Sequence, residues 1–201
     1  MAAVTPANDF VAKHWQRWPE WQFASVFLAE DQRALIHDWY ALQNELWLAA
    51  YSFEDPTPGA AKLAWWQEEL RGWSKGMRRH PLGASLQPRS THWNELADQL
   101  TLPFDDEALA SVLSKIDHDL AGSRGMAHTP SIANALSFER SLLREDSSAV
   151  SSSPKLRGLS RARAMQVALS AARAKSSDVT KPLSPLRTIL TCWRAARMSK
   201  S

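Results

Sequence analysis

Cysteine occurs once, at Cys192, and glycine only seven times in 201 residues. A single thiol excludes an intrachain disulfide framework and a cysteine-based zinc site. Scarce glycine, with few β-branched runs and abundant Ala, Leu, Gln, Glu and Arg, favours helix. No apolar run approaches the roughly 20 residues of a membrane-spanning helix, and the N-terminal stretch lacks a signal-peptide core. These absences point to the cytoplasm, with at most peripheral contact with a membrane. The six histidines show no His-x-x-x-His spacing, and neither a glycine-rich phosphate loop nor a G-x-S-x-G elbow occurs. Helical zinc, nucleotide and serine-hydrolase sites therefore find no support.

Two features stand out among what is present. Ten tryptophans lie mostly in the first hundred residues. Charge divides the chain: residues 151–201 hold eleven Lys or Arg against Asp178 alone, a net of +10, whereas residues 1–150 carry a net of −7. Arg161, Arg163, Arg173, Arg187, Arg194 and Arg197 could meet phosphates of nucleic acid or of an anionic membrane. The acidic remainder would repel the same partner, and docking of the basic stretch on the acidic body explains the asymmetry equally well. Nucleic acid is the least favoured partner, and a membrane surface ranks above it.

Hydrophobic spacing predicts helices throughout. Leu35, Trp39, Leu42, Leu46, Ala49 and Phe53 form one stripe, widened by Ile36, Tyr40 and Trp47. Pro56 and Pro58 are expected to separate this helix from one starting near Ala60, which places Leu63, Trp66, Leu70 and Trp73 on one face. Gly76 to Pro88 reads as a connector, and Thr91 to Leu100 as a short helix. A helix starting near Pro103 carries Leu109, Val112, Leu113, Ile116 and Leu120 inward and stops near Gly122. Further helices are expected over 131–143, 156–175 and 186–198. The fold is all-α.

Candidate chemistry is thin. Asp105, Asp106 and Glu107 are expected to serve a helix start through the dipole. Asp117, His118 and Asp119 are expected on a solvated face, and Glu68 with Arg71 in a surface pair. Cys192 reads as a buried, inert thiol. Neighbours on a helix cannot face the same way, so one of Trp65 and Trp66 is expected to line a cavity or meet a partner.

Some segments resemble a known family. Leu28-Ala29-Glu30-Asp31-Gln32-Arg33-Ala34 followed by Trp39-Tyr40-Ala41-Leu42 is similar to the "L-P-x-x-x-R … Y-A-F" segment of squalene and phytoene synthases. Lys62-Leu63-Ala64-Trp65-Trp66-Gln67-Glu68-Glu69-Leu70 resembles their "L-x-x-W-R-x-E-L" helix. His80-Pro81-Leu82 with Leu86 is similar to their "H-P-V … A-L" continuation. Order and spacing agree over roughly residues 23–87. The resemblance implies a single helical bundle of the isoprenoid synthase type, shorter than family members usually are. Residues 1–146 would form its core, 147–154 a serine-rich linker, and 155–201 basic helices packing on or beside that core.

Members of that family join prenyl diphosphates head to head, with magnesium held by two aspartate-rich motifs. Carboxylates are needed there because a diphosphate leaves only when hard cations neutralise its charge. Counted forward from Tyr40, the family's arginine position falls on Asn44, and its D-D-x-x-D acids fall on Trp47, Leu48 and Tyr51. The second acidic motif is not found between residues 130 and 175. Tyr40 alone matches a cavity-lining, substrate-binding residue. The resemblance therefore implies a homologue without prenyl transfer, with no catalytic residue and no metal ligand, acting in binding or assembly. One such relative, a mitochondrial complex I assembly factor, also lacks the acid motifs. A protein or an apolar isoprenoid is the expected partner. The alternative is an isoprenoid-binding protein or prenyltransferase of terpenoid biosynthesis, and magnesium belongs to that reading alone.

Overall fold

Where apolar residues recur at helical spacing, the backbone is helical. The computed structural model describes residues 6–52, 55–121, 129–144 and 154–199. These form α1 (Pro6–Arg17), α2 (Glu20–Ala24) with a 3-10 turn (Ser25–Phe27), α3 (Glu30–Tyr51), α4 (Pro56–Trp73) and α5 (Gly83–Leu86). They continue with α6 (Trp93–Gln99), α7 (Asp106–Ala121), α8 (Thr129–Arg144), α9 (Arg161–Ala174) and α10 (Pro185–Met198). No strand occurs among the described residues. Phe53, Gly122 and residues 147–153 of the serine-rich stretch lie outside them.

α3 is the hub. It is about 33 Å long at 1.5 Å per residue, and α1, α4, α5, α7 and α8 all pack against it. Leu35, Ile36, Trp39, Leu42, Leu46 and Ala49 are all buried, as the stripe requires. Trp39 lies 5.9 Å edge-on from Trp93, which lies 5.1 Å from Trp73. Such ring pairs add about 0.5–1.5 kcal/mol each beyond area burial. The chain closes on itself, because α9 packs on α8 and α10 packs on both α9 and α2.

Four local expectations are corrected. α4 starts at Pro56 rather than near Ala60. Asp55 caps it by accepting from Thr57 N at 2.9 Å, and proline fits a first turn whose amides have no helical acceptor. α9 starts at Arg161 rather than 156, because Gly158 takes φ +79° and Ser160 Oγ caps the helix at Arg163 N (3.2 Å). Glu68 does not pair with Arg71. Arg71 reaches Asp98 at 2.8 Å, Glu68 faces Arg79 at 3.7 Å, and neighbouring Glu69 is buried. Asp117, finally, is buried rather than solvated, for a reason that lies in the interior. Ahead of these, α1 and α2 are helices that the hydrophobic spacing did not mark.

Asp105 performs the expected capping role, accepting from Glu107 N and Ala108 N at 3.0 Å each. Asp106 instead turns to α8, where it accepts from Ser137 Oγ at 2.7 Å and Arg140 Nη2 at 2.9 Å. The Glu69 carboxylate gathers the amides of Arg79 (2.7 Å) and His80 (2.8 Å) and Trp73 Nε1 (2.9 Å). Burial would push its pKa up, but those backbone and side-chain donors outweigh it and hold the pKa down. This one carboxylate therefore anchors the connector after α4.

Candidate functional site

α3 presents polar side chains inward between its apolar ones. Gln43 and Asn44 are buried beside Tyr40 and Trp47. Inward polar groups must find partners or cost stability, and the other helices supply them. From α9, Arg163 enters fully buried. Its Nε donates to Asp117 Oδ2 at 2.5 Å and its Nη2 to Asp117 Oδ1 at 3.1 Å, a two-pronged contact with α7. Nη2 also donates to Gln43 Oε1 (2.9 Å) and Nη1 to Gln166 Oε1 (2.7 Å). Trp39 Nε1 donates to Asp117 Oδ1 at 2.7 Å.

A second buried carboxylate, Glu139 of α8, accepts from Trp47 Nε1 at 2.9 Å and from Gln166 Nε2. Gln166 thus links Arg163 to Glu139. Arg17 of α1 donates to Asn44 Oδ1 at 2.6 Å. Five helices are tied together through their polar groups.

The electrostatics follow from this closure. Burial would pull the Arg163 guanidinium pKa down, but Asp117, Tyr40 and Glu139 outweigh it and raise it. Burial raises the Glu139 carboxyl above its ordinary value despite Gln166, Arg163 and Arg17. The Tyr40 phenol is pushed well up by burial, with the Arg163 guanidinium 5.1 Å over its ring acting in the opposite sense. His14, whose ring lies 6.1 Å from Tyr40, has its pKa lowered to about 3 by burial and by Arg17 and His37. Tyr40 Oη, both His14 ring nitrogens and Asn44 Nδ2 have no hydrogen-bond partner among the described residues.

The positions marked on α3 thus take on specific contacts. Asn44 holds Arg17, and Trp47 holds Glu139. Tyr51 is half-buried and packs edge-on against Phe104 at 5.6 Å, and Leu48 is half-buried as well. Tyr40 lies within the network, against Trp21 at 4.5 Å between ring centres. Magnesium prefers open carboxylate and water oxygens. Here Asp117 and Glu139 face guanidinium, indole and amide donors, which is the wrong set for that ion. Among the described residues no three His, Cys, Asp or Glu side chains gather to hold a metal.

Trp65 and Trp66 part company as neighbours on a helix must. Trp66 is fully buried, whereas Trp65 is half-buried on its edge at 5.1 Å, with the Arg79 guanidinium 5.2 Å over its ring. Cys192 is buried on the inner face of α10, and burial followed by Glu20 pushes its thiol pKa up to about 12. Two of the six arginines considered for an external partner turn inward. Arg163 is one, and Arg173 lies 3.8 Å from Glu20 while donating to the Arg17, Val179 and Thr180 carbonyls.

Sequence reasoning did not single out Gln43, Glu139 or Gln166, and it set Asp117 on a solvated face and Arg163 among contacts for an external partner. A signal was present: each occupies an inward position of an apolar stripe, as Asp117 does four residues after Leu113. A polar residue at a core phase asks for a buried partner, but nothing local names it.

No family model, no curated protein and no solved structure matches the chain.

Proposed function

We propose that this chain is a non-catalytic helical bundle of the squalene and phytoene synthase type that works by binding, as an assembly or scaffolding protein. The observation that carries the reading is the closed interior. Where a prenyl synthase would need an open carboxylate on α3, Trp47 is engaged with Glu139, and Asn44, at the family's arginine position, is engaged with Arg17. Of the buried acids, Asp117 is held by Arg163 and Trp39, and Glu139 by Trp47 and Gln166. Opening such a site to a diphosphate would mean breaking a buried ion pair, at about 3–5 kcal/mol. The cross-braced core leaves function to the outer surface and makes a protein partner the first expectation.

The test is pyrophosphate release from farnesyl or geranylgeranyl diphosphate by the purified full chain, with and without magnesium. The expected result is no turnover above buffer. Sustained release would overturn the reading and favour the alternative, a prenyltransferase. Saturable uptake of a radiolabelled isoprenoid alcohol without release would instead favour an isoprenoid-binding protein.

A further inference from the structure

α10 is amphipathic in an unusual sense. Thr188, Cys192 and Ala195 are buried against the body. At 100° per residue the opposite side carries Leu186, Leu190, Trp193 and Arg197, with Ile189 on one flank and Arg187 and Arg194 on the other. A surface helix ordinarily turns polar residues outward. Here Leu186 is 70% exposed, and Leu190 and Trp193 are 45% exposed. The remaining outward side chains are cationic, and α10 contains no acid. The Arg197 guanidinium lies 4.9 Å over the Trp193 ring.

The apolar exposure is concentrated at this place. Among the described residues the large exposed hydrophobic side chains are Phe23, Val26, Met77, Leu186, Ile189, Leu190, Trp193 and Met198. All but Met77 lie on α10, or on α2 and the 3-10 turn that pack against it. A groove of about 500 Å³ runs between α9 and α10, its apolar floor including Ala168 and Leu190 and its rim carrying Lys175, Arg187 and Arg194.

We infer that α10 lies flat on an anionic membrane surface, with its leucines and Trp193 in the headgroup–acyl boundary and its arginines on lipid phosphates. Three considerations select this occupant. A second copy docked across a two-fold axis would set one arginine triplet against another, which costs rather than stabilises. A partner helix seated in the groove would cover Leu186 and Leu190 but leave Ile189 and Trp193, which do not line it. A bilayer offers hydrocarbon and negative charge together to a convex face, the chemistry of a basic amphipathic helix. No described helix is long and apolar enough to cross a membrane, so the contact is peripheral. This inference stands apart from the proposed function: vesicle binding reads α10, whereas pyrophosphate release reads the interior.

The test is flotation of the full chain with phosphatidylcholine vesicles, with and without phosphatidylglycerol, at low and high salt. The chain should float with the anionic vesicles alone, and high salt should release it. Replacing Arg187, Arg194 and Arg197 together by Gln should weaken partitioning by roughly a hundredfold, given the usual contribution of each basic residue at a charged surface. Leu190→Ser with Trp193→Ser should abolish binding. Continued protection of Cys192 from alkylation in each variant shows that α10 remains docked, so lost binding then reports the surface and not unfolding. Absence of flotation with anionic vesicles overturns the inference, as does equal binding to neutral ones. So does a dimer that Leu190→Ser with Trp193→Ser converts to monomer while neither form binds vesicles.

Discussion

Arg163 and Asp117, 46 residues apart, meet as a fully buried two-pronged ion pair, with Nε 2.5 Å from Oδ2 and Nη2 3.1 Å from Oδ1. The pair joins α9 to α7, so α9 of the basic C-terminal stretch is an interior component of the bundle. Arg163→Met should leave Asp117 charged and uncompensated and lower unfolding free energy by about 3–5 kcal/mol. Adding Asp117→Asn should return part of that loss, because the uncompensated charge is gone and Trp39 Nε1 keeps an acceptor. Urea denaturation of the two variants measures both. A loss under about 1 kcal/mol for the single variant would match a solvated pair instead.

Trp47 is buried on α3 and donates its indole N–H to Glu139 Oε2 at 2.9 Å. Trp47→Phe removes the donor to Glu139 Oε2 and should cost about 1–3 kcal/mol for the unsatisfied carboxylate. Trp47→Asp should cost more, since it opens space and sets a second carboxylate beside Glu139. Thermal unfolding ranks the two. An unchanged melting temperature for Trp47→Asp would place position 47 outside the core.

Acid should destabilise the fold from about pH 6.5 downward. His14 has a pKa near 3 in the folded chain against its usual 6.5. Between those values the unfolded chain binds the proton and the folded chain does not, so stability falls as pH falls. The slope is about 1.4 kcal/mol per pH unit for one proton. Burial lowers the His37 and His80 pKa values as well, which adds to the same limb. Glu139 acts oppositely: its raised pKa costs stability as pH rises above its ordinary value near 4.5. His14→Gln should flatten the acid limb by about one proton's worth in urea titrations across pH. An unaltered slope would mean that His14 is accessible to solvent.

Cys192 should resist iodoacetamide in the native chain. A thiol pushed up to about 12 offers, near neutral pH, roughly three orders of magnitude less thiolate than an ordinary cysteine. Labelling should therefore track unfolding of α10 and rise to the free-thiol rate in denaturant. Rapid native labelling would show that α10 is not docked on the body.

The all-α class and most helix positions were legible in the sequence, because both rest on local signals. Glycine is scarce, and apolar residues recur at helical spacing in α3, α4 and α7. The capping role of Asp105 could be read the same way. The starts of α4 and α9 were less legible, because Pro56 can either end a helix or open one, and Gly158 with Ser160 sets a boundary that apolar spacing does not record.

Which polar residues go inside was decided only by the packing of helices far apart in sequence. Asp117 resembled a surface acid until α9 brought Arg163 to it, and Arg173 resembled a phosphate contact until α2 offered Glu20. Hydrophobic periodicity belongs to one helix at a time, whereas a buried charge is tolerable only if another helix supplies its partner. That partnership, between Arg163 and Asp117 above all, is a property of the assembled bundle.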